Sequence, residues 1–225
     1  MRNNTISNRE QKPIQFDLFP YVYASGARSV GRYGFPQLEA TDAVPSGRVL
    51  PFHYITSCED PSGIWFHCFE DDYQFERLWR NLYYYIPLLK KAAGFIGPDF
   101  SMYREDSQDS LVWNCRRNRC VVYALQKAQV NVIPTGGFAG EESWSWCYQS
   151  LPFESTIAVT TNGVLSDPEA RRLFVGGIDE LVRQKNPRHL VVCGRCPRWI
   201  GLKYPEIQIV HIKSYSEQWH ERRCA

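Results

Sequence analysis

The chain has 225 residues, 44% of them hydrophobic and 14% aromatic, enough for one well-buried core. Charged residues at 22% exclude wholesale disorder. Lys+Arg 26 against Asp+Glu 24 gives a formal charge of +2, which excludes a histone-like coat for polyanions but leaves room for a local basic face.

The first residues, MRNNTISNREQKPIQFDLF, carry no apolar stretch behind the positive charge and are not expected to act as a signal peptide. No run of ~18 apolar residues occurs, so no membrane helix and no membrane partner are expected. The eight cysteines are therefore expected as free thiols in a reducing, cytoplasmic compartment.

Residues 1–13 are polar and aperiodic and are expected to form a disordered tail. Residues 14–48 form an arginine- and glycine-rich extension, in which Gly26, Gly31, Gly34, Pro36, Pro45 and Gly47 break every helical window. Residues 49–225 are expected to fold as a single α/β domain. Val49–Ile55 predicts a strand. Gly63–Phe69 predicts a second, apolar on both faces and so central. Asp71 and Asp72 open a helix to about Arg80, acidic where the helix dipole favours it. Tyr83–Ala93 predicts another helix, with Pro87 in its first turn or kinking it. Phe95–Pro98 is a short strand ending at Asp99.

Residues 107–128 carry Leu111, Cys115, Val122 and Leu125 at helical spacing, and the strand Val130–Pro134 follows. Residues 143–150 predict a short helix and Thr156–Thr160 a strand. Ser166-Asp167-Pro168-Glu169 has the form of a capping box, with proline where its missing N–H is harmless. Leu173, Phe174, Gly177, Ile178, Leu181 and Val182 stripe the helix behind it, and Asn186-Pro187 ends it. His189–Cys193 and Ile207–Ile212 are the last strands.

Strands alternating with helices form parallel sheets through right-handed crossovers. About seven strands from residue 49 predict an α/β fold with a compact or incomplete (β/α) barrel-like parallel sheet. A doubly wound sheet is the second choice.

In both architectures chemistry sits at the C-terminal strand ends. Those ends carry Glu70, Asp71 and Asp72, then Asp99, Ser101, Tyr103 and Arg104. Further on come Thr135, Thr161, Asn162 and Gly163, then Gly194 and Arg195. Paired carboxylates such as Asp72 and Asp99 can work as acid and base, or hold Mg²⁺ through oxygen. Asp71 or Asp72 equally suits a helix cap, and Asp99 a turn. No other cofactor is evident, and no metal ligand set is assigned.

Arg116 and Arg119 share a face of the helix 107–128 and are of the type that grips phosphate, or they belong to a solvated face. Asn118 falls on the apolar stripe, so its amide needs buried partners and suits holding a strand end. Trp144 and Trp146 lie near the expected rim, whereas Tyr83–Tyr85 fit packing. Cys193-Gly-Arg-Cys196 has thioredoxin spacing, yet no helix is evident after it to lower a thiol pKa. P-loop, dinucleotide-binding, zincin and serine-hydrolase motifs are absent from the sequence.

FEDDYQFERLW (Phe69–Trp79), GPDFSMY (Gly97–Tyr103), WNCRRNR (Trp113–Arg119) and NVIPT (Asn131–Thr135), with glycines at 163 and 194, resemble domain-of-unknown-function family 4417. The resemblance spans roughly residues 50–212. It implies a bacterial or mobile-element setting, phage or plasmid, and brings no activity with it. Asp71, Asp72, Tyr73, Phe75, Glu76, Asp99, Ser101, Tyr103, Asn114 and Arg119 match the family's pattern. Gly136-Gly137-Phe138 departs from it, standing where a tryptophan is expected.

Two functions follow as expectations. One is an enzyme acting on nucleic acid or a nucleotide-like substrate, with Asp99 and Asp72 catalytic. Ser101, Tyr103, Arg104, Asn114, Arg119 and Asn162 would then bind substrate. The other is a non-catalytic regulator that binds DNA or a host protein through Arg28, Arg32 and Arg48.

Overall fold

The structure, a computed structural model, describes residues 19–214 together with Glu217. The tail expected over residues 1–13 lies outside the described residues. The described chain opens with α1 (Phe19–Tyr23) and a small antiparallel hairpin, β1 (Ser29–Val30) with β2 (Phe35–Pro36). These residues were expected as an extension, yet Tyr23, Phe35 and Leu38 are buried in the main core. The Tyr23 hydroxyl donates to the Trp79 carbonyl at 2.7 Å, pinning the segment down.

β3 (Arg48–Pro51) follows, and a single 3₁₀ turn at Phe52–Tyr54 replaces the rest of the expected strand. Then come β4 (Ile64–His67), α2 (Asp72–Arg80), α3 (Leu82–Leu89) and β5 (Gly94–Ile96). α4 (Gln108–Lys127) leads to β6 (Val132–Ile133), α5 (Glu141–Cys147) and β7 (Thr156–Thr160). The chain ends with α6 (Pro168–Lys185), β8 (His189–Cys193), α7 (Arg198–Lys203) and β9 (Gln208–Ile212).

β3, β4, β5 and β6 pair in parallel, and so do β7, β8 and β9. A parallel bridge from Thr135 to Ala158 joins the two sets. There the Gly136 N–H donates to the Ala158 carbonyl at 2.7 Å, and the Ala158 N–H donates to the Pro134 carbonyl at 2.9 Å. Seven strands thus stand side by side in chain order. Right-handed crossovers between neighbours taken in order all pass on one face, which is how a barrel winds. The strands do not close: among the described residues β9 does not pair with β3. The fold is an open, barrel-wound parallel α/β sheet, and the strand order never reverses as a doubly wound sheet requires.

Strand alternation separates two cores. Trp65, Ile96, Ile133, Ala158, Val191, Cys193 and Ile212 fill the inner face. Phe66, Phe95, Val132, Ile157, Leu190 and Val192 face the helical layer. In α4 the stripe of Leu111, Cys115, Val122 and Leu125 is buried as its spacing demands.

Two details depart from the sequence reading. The N-cap of α6 is Asp167, whose carboxylate accepts the Ala170 N–H, so the helix starts one residue later than a Ser166 cap implies. A short helix, α7, does follow Cys196, with Pro197 as its N-cap and Ile200 buried. Burial nonetheless raises both the Cys193 and Cys196 thiols, the opposite of what a redox pair needs.

Candidate functional site

β5, β6 and β7 end side by side, and a cavity of about 360 Å³ opens at their C-terminal ends. Asp99–Glu105 enter it from β5, Gly136–Ala139 from β6, and Thr160, Asn162, Gly163 and Val164 from β7. The first turns of α6 close one side with Asp167, Ala170, Leu173 and Phe174. The Thr135 hydroxyl donates to the Pro98 carbonyl at 2.7 Å and locks the ends of β5 and β6 together.

Gly137 keeps this space open, and Gly136 lets the loop pass close over the core at Ile157. A Cβ on Gly137 would lie 2.8 Å from Asp99 Oδ1, and one on Gly136 would lie 3.0 Å from Ile157 Cγ2. Where the family resemblance leads one to expect a tryptophan, this chain has a cavity wall.

Asp99 is half-buried on that wall, and no hydrogen bond from the described residues reaches its carboxyl group. Burial lifts its pKa from 3.8 to about 7, the nearby Asp72 charge adds to the rise, and Arg119 opposes it. A carboxyl with a pKa there can both give and take a proton at neutral pH.

Asp72, not Asp71, turns toward Asp99. Asp71 is the exposed N-cap of α2 and its side chain makes no capping bond. The Asp72 carboxylate accepts the Ser101 N–H at 3.2 Å and the Ser101 hydroxyl at 2.9 Å. Burial raises its pKa, and the Ser101 bonds hold it back.

α4 grips the same loop. Asn114 Nδ2 donates to the Ser101 carbonyl at 2.6 Å, and Asn118 Oδ1 accepts the Phe100 N–H at 2.9 Å. The Arg117 guanidinium lies 3.6 Å above the Phe100 ring. Arg119 is wholly buried and donates to the carbonyls of Thr135 at 2.6 Å and Cys147 at 2.9 Å. Arg116 donates to the carbonyls of Tyr33 and Gly34.

The cavity therefore gathers Asp99, Ser101, Tyr103, Arg104 and Asn162 from the expected set. Asp72, Asn114 and Arg119 do not line it, because their polar atoms are committed to the loops that build its walls. Trp144 and Trp146 lie elsewhere too: Trp146 is buried against Tyr33 and Phe35, and Trp144 covers Gly176. Tyr85 packs on Phe52, whereas Tyr83 and Tyr84 are exposed. Arg28, Arg32 and Arg48 are exposed. Sequence reasoning missed Gly137, Phe138, Asp167 and Phe174. The unusual glycine pair signalled the first two, whereas Asp167 and Phe174 carried only helix signals.

Elsewhere, His53 pairs with Glu70 at the ends of β3 and β4. Among the described residues no three His, Cys, Asp or Glu side chains converge as a metal site. None of the described helices is long and apolar enough to cross a membrane.

Fold and cavity together define an open, barrel-wound α/β protein with a half-buried acid at its strand ends. The chain belongs to the family described as "Domain of unknown function (DUF4417)", whose model matches residues 27–213. That match begins within the segment that packs into the core, well before residue 50. The chain is similar to the Gene 1 protein of Mycobacterium phage D29, 30% identical over 198 residues, which cover 87% of this chain and 71% of that protein. It is also similar to the Gene 1 protein of Mycobacterium phage L5, 27% identical over 198 residues, 87% of this chain and 83% of that one. These relatives give the chain its mobile-element association. No solved structure matches it.

Proposed function

We propose that the protein is an enzyme acting on nucleic acid or a nucleotide-like substrate, with Asp99 as general acid and base. The observation that carries this reading is the Asp99 carboxyl, free of hydrogen bonds from the described residues, on the wall of a strand-end cavity. A structural carboxyl at that position would be tied down, as Asp72 is by Ser101. Aromatic walls and the phage relatives support the substrate class. Any Mg²⁺ would take part of its oxygen shell from the substrate, since Asp99 and Asp72 are not joined by a third acid. A reducing, cytoplasmic setting belongs to the same reading and is supported by the free, mostly buried thiols.

The test is turnover. The full chain is incubated with nucleosides, nucleotides, and single- and double-stranded DNA and RNA, with and without Mg²⁺, and products are read by mass spectrometry. Asp99→Asn is expected to lose at least about a hundredfold in rate with its fold intact. Full activity in Asp99→Asn, or no turnover of any of these substrates, would sink the assignment.

A further inference from the structure

Two features at the mouth of the cavity are of the kind that bind phosphate: the Arg104 guanidinium and the N-terminus of α6. One carboxylate already occupies both. Asp167 Oδ1 accepts the Ala170 N–H at 2.7 Å and the Arg104 Nη1–H at 3.3 Å. Glu105 takes the Arg104 Nε–H at 2.6 Å. Counting Asp99, three carboxyl groups line the cavity beside one guanidinium. A phosphate entering there meets an anion where it needs a cation. The walls ask for something else. Phe138 and Phe174 stack with centroids 6.2 Å apart, and Phe100 lines the same space. Asn162, whose side-chain amide has no hydrogen bond from the described residues, offers a polar edge beside them.

We propose that Asp167 is a specificity-determining residue: a built-in anion that reserves the cavity for the uncharged ring of a nucleobase or nucleoside and turns away the phosphate of a nucleotide. This rests on the reading of the cavity as a nucleotide-like substrate site, and it adds which part of the substrate enters.

The full chain is titrated calorimetrically at low salt with the common nucleosides and their 5′-monophosphates. The wild type is compared with Asp167→Ser, which keeps an N-cap and frees Arg104. The wild type is expected to bind at least one nucleoside about tenfold more tightly than its monophosphate. In Asp167→Ser the preference narrows or reverses, and added salt weakens the gained phosphate affinity. A wild type that binds the monophosphate as well or better overturns the inference and leaves the nucleotide-site reading standing. An unchanged preference in Asp167→Ser overturns the role of Asp167. Binding of neither ligand overturns this inference, and turnover of the DNA and RNA substrates then decides the proposed function on its own. If Asp167→Ser fails to fold, Arg104→Gln gives a second readout. Monophosphate affinity that stays as weak as in the wild type supports the proposal, and a further loss marks Arg104 as a phosphate anchor and overturns it.

Discussion

Asp99 and His67 put opposite protonation demands on one fold. The folded Asp99 holds its proton up to about pH 7, whereas an unfolded aspartate has lost it above 3.8. Its contribution to stability is therefore greatest below 3.8 and is lost as pH rises through 7. His67 behaves the other way. Its Nδ1 accepts the Phe69 N–H at 3.0 Å, and its buried Nε2 has no partner among the described residues. Burial, with a smaller push from His53, lowers its pKa from 6.5 to about 4. The neutral ring's contribution is present above 6.5 and is lost as pH falls toward 4. Between those values the two groups offset one another. Asp99→Asn removes one side: it should be more stable than the wild type at pH 8 by about 2 kcal/mol and lose that lead on acidification. Urea unfolding across pH tests this, and parallel curves for the two proteins would refute it. In the proposed reaction, kcat/KM should show a limb near pH 7. Arg119→Met should move that limb upward, because the guanidinium that lowers the Asp99 pKa is gone. The same change should cost about 2–4 kcal/mol by stranding the carbonyls of Thr135 and Cys147.

At the scale of elements, α4 and α6 were legible almost to the residue. Their length allows the 3.6-residue period to show, and Asp167-Pro168 and Asn186 punctuate α6. Asn186 sits in the left-handed region at φ 42°, the conformation that ends helices. Short elements were not so legible. β6 has two residues, too few for any period, and α7 is hidden by Pro197 and Gly201 with Ile200 as its lone buried residue. The loop after β6 gives a direct test of the cavity. Gly137→Ala places a methyl group 2.8 Å from Asp99 Oδ1. It should abolish ligand binding while the melting temperature falls by only a few degrees. Retained affinity in that variant would mean the ligand binds elsewhere.

The whole molecule depends on a segment that its composition disguises. Tyr23, Phe35 and Leu38 sit in the main core, and Gln126 exchanges hydrogen bonds with the Glu39 backbone across α4. Deleting residues 1–48 should therefore abolish cooperative unfolding, read by circular dichroism on heating. A truncated chain that melts like the full one would restore a detachable binding arm. Openness of the sheet is likewise a global property. Seven strands in chain order were readable from alternation, but whether β9 meets β3 depends on tilt and stagger summed over every strand.

Local physics is written in the sequence, and it determined the α/β class, the parallel order, the long helices and the placing of the candidate residues at strand ends. Asp99, Ser101, Tyr103, Arg104 and Asn162 came from that placing alone. The tertiary structure decided which candidates face the cavity. Asp72, Asn114 and Arg119 have the same chemistry as cavity-lining residues, but hydrogen bonds to Ser101, Thr135 and Cys147 turn them into its supports. The tertiary structure also decided that Asp167, a helix cap by sequence, faces Arg104 across 63 residues of chain. Such pairings are set by how whole elements pack, and no local window of sequence contains them.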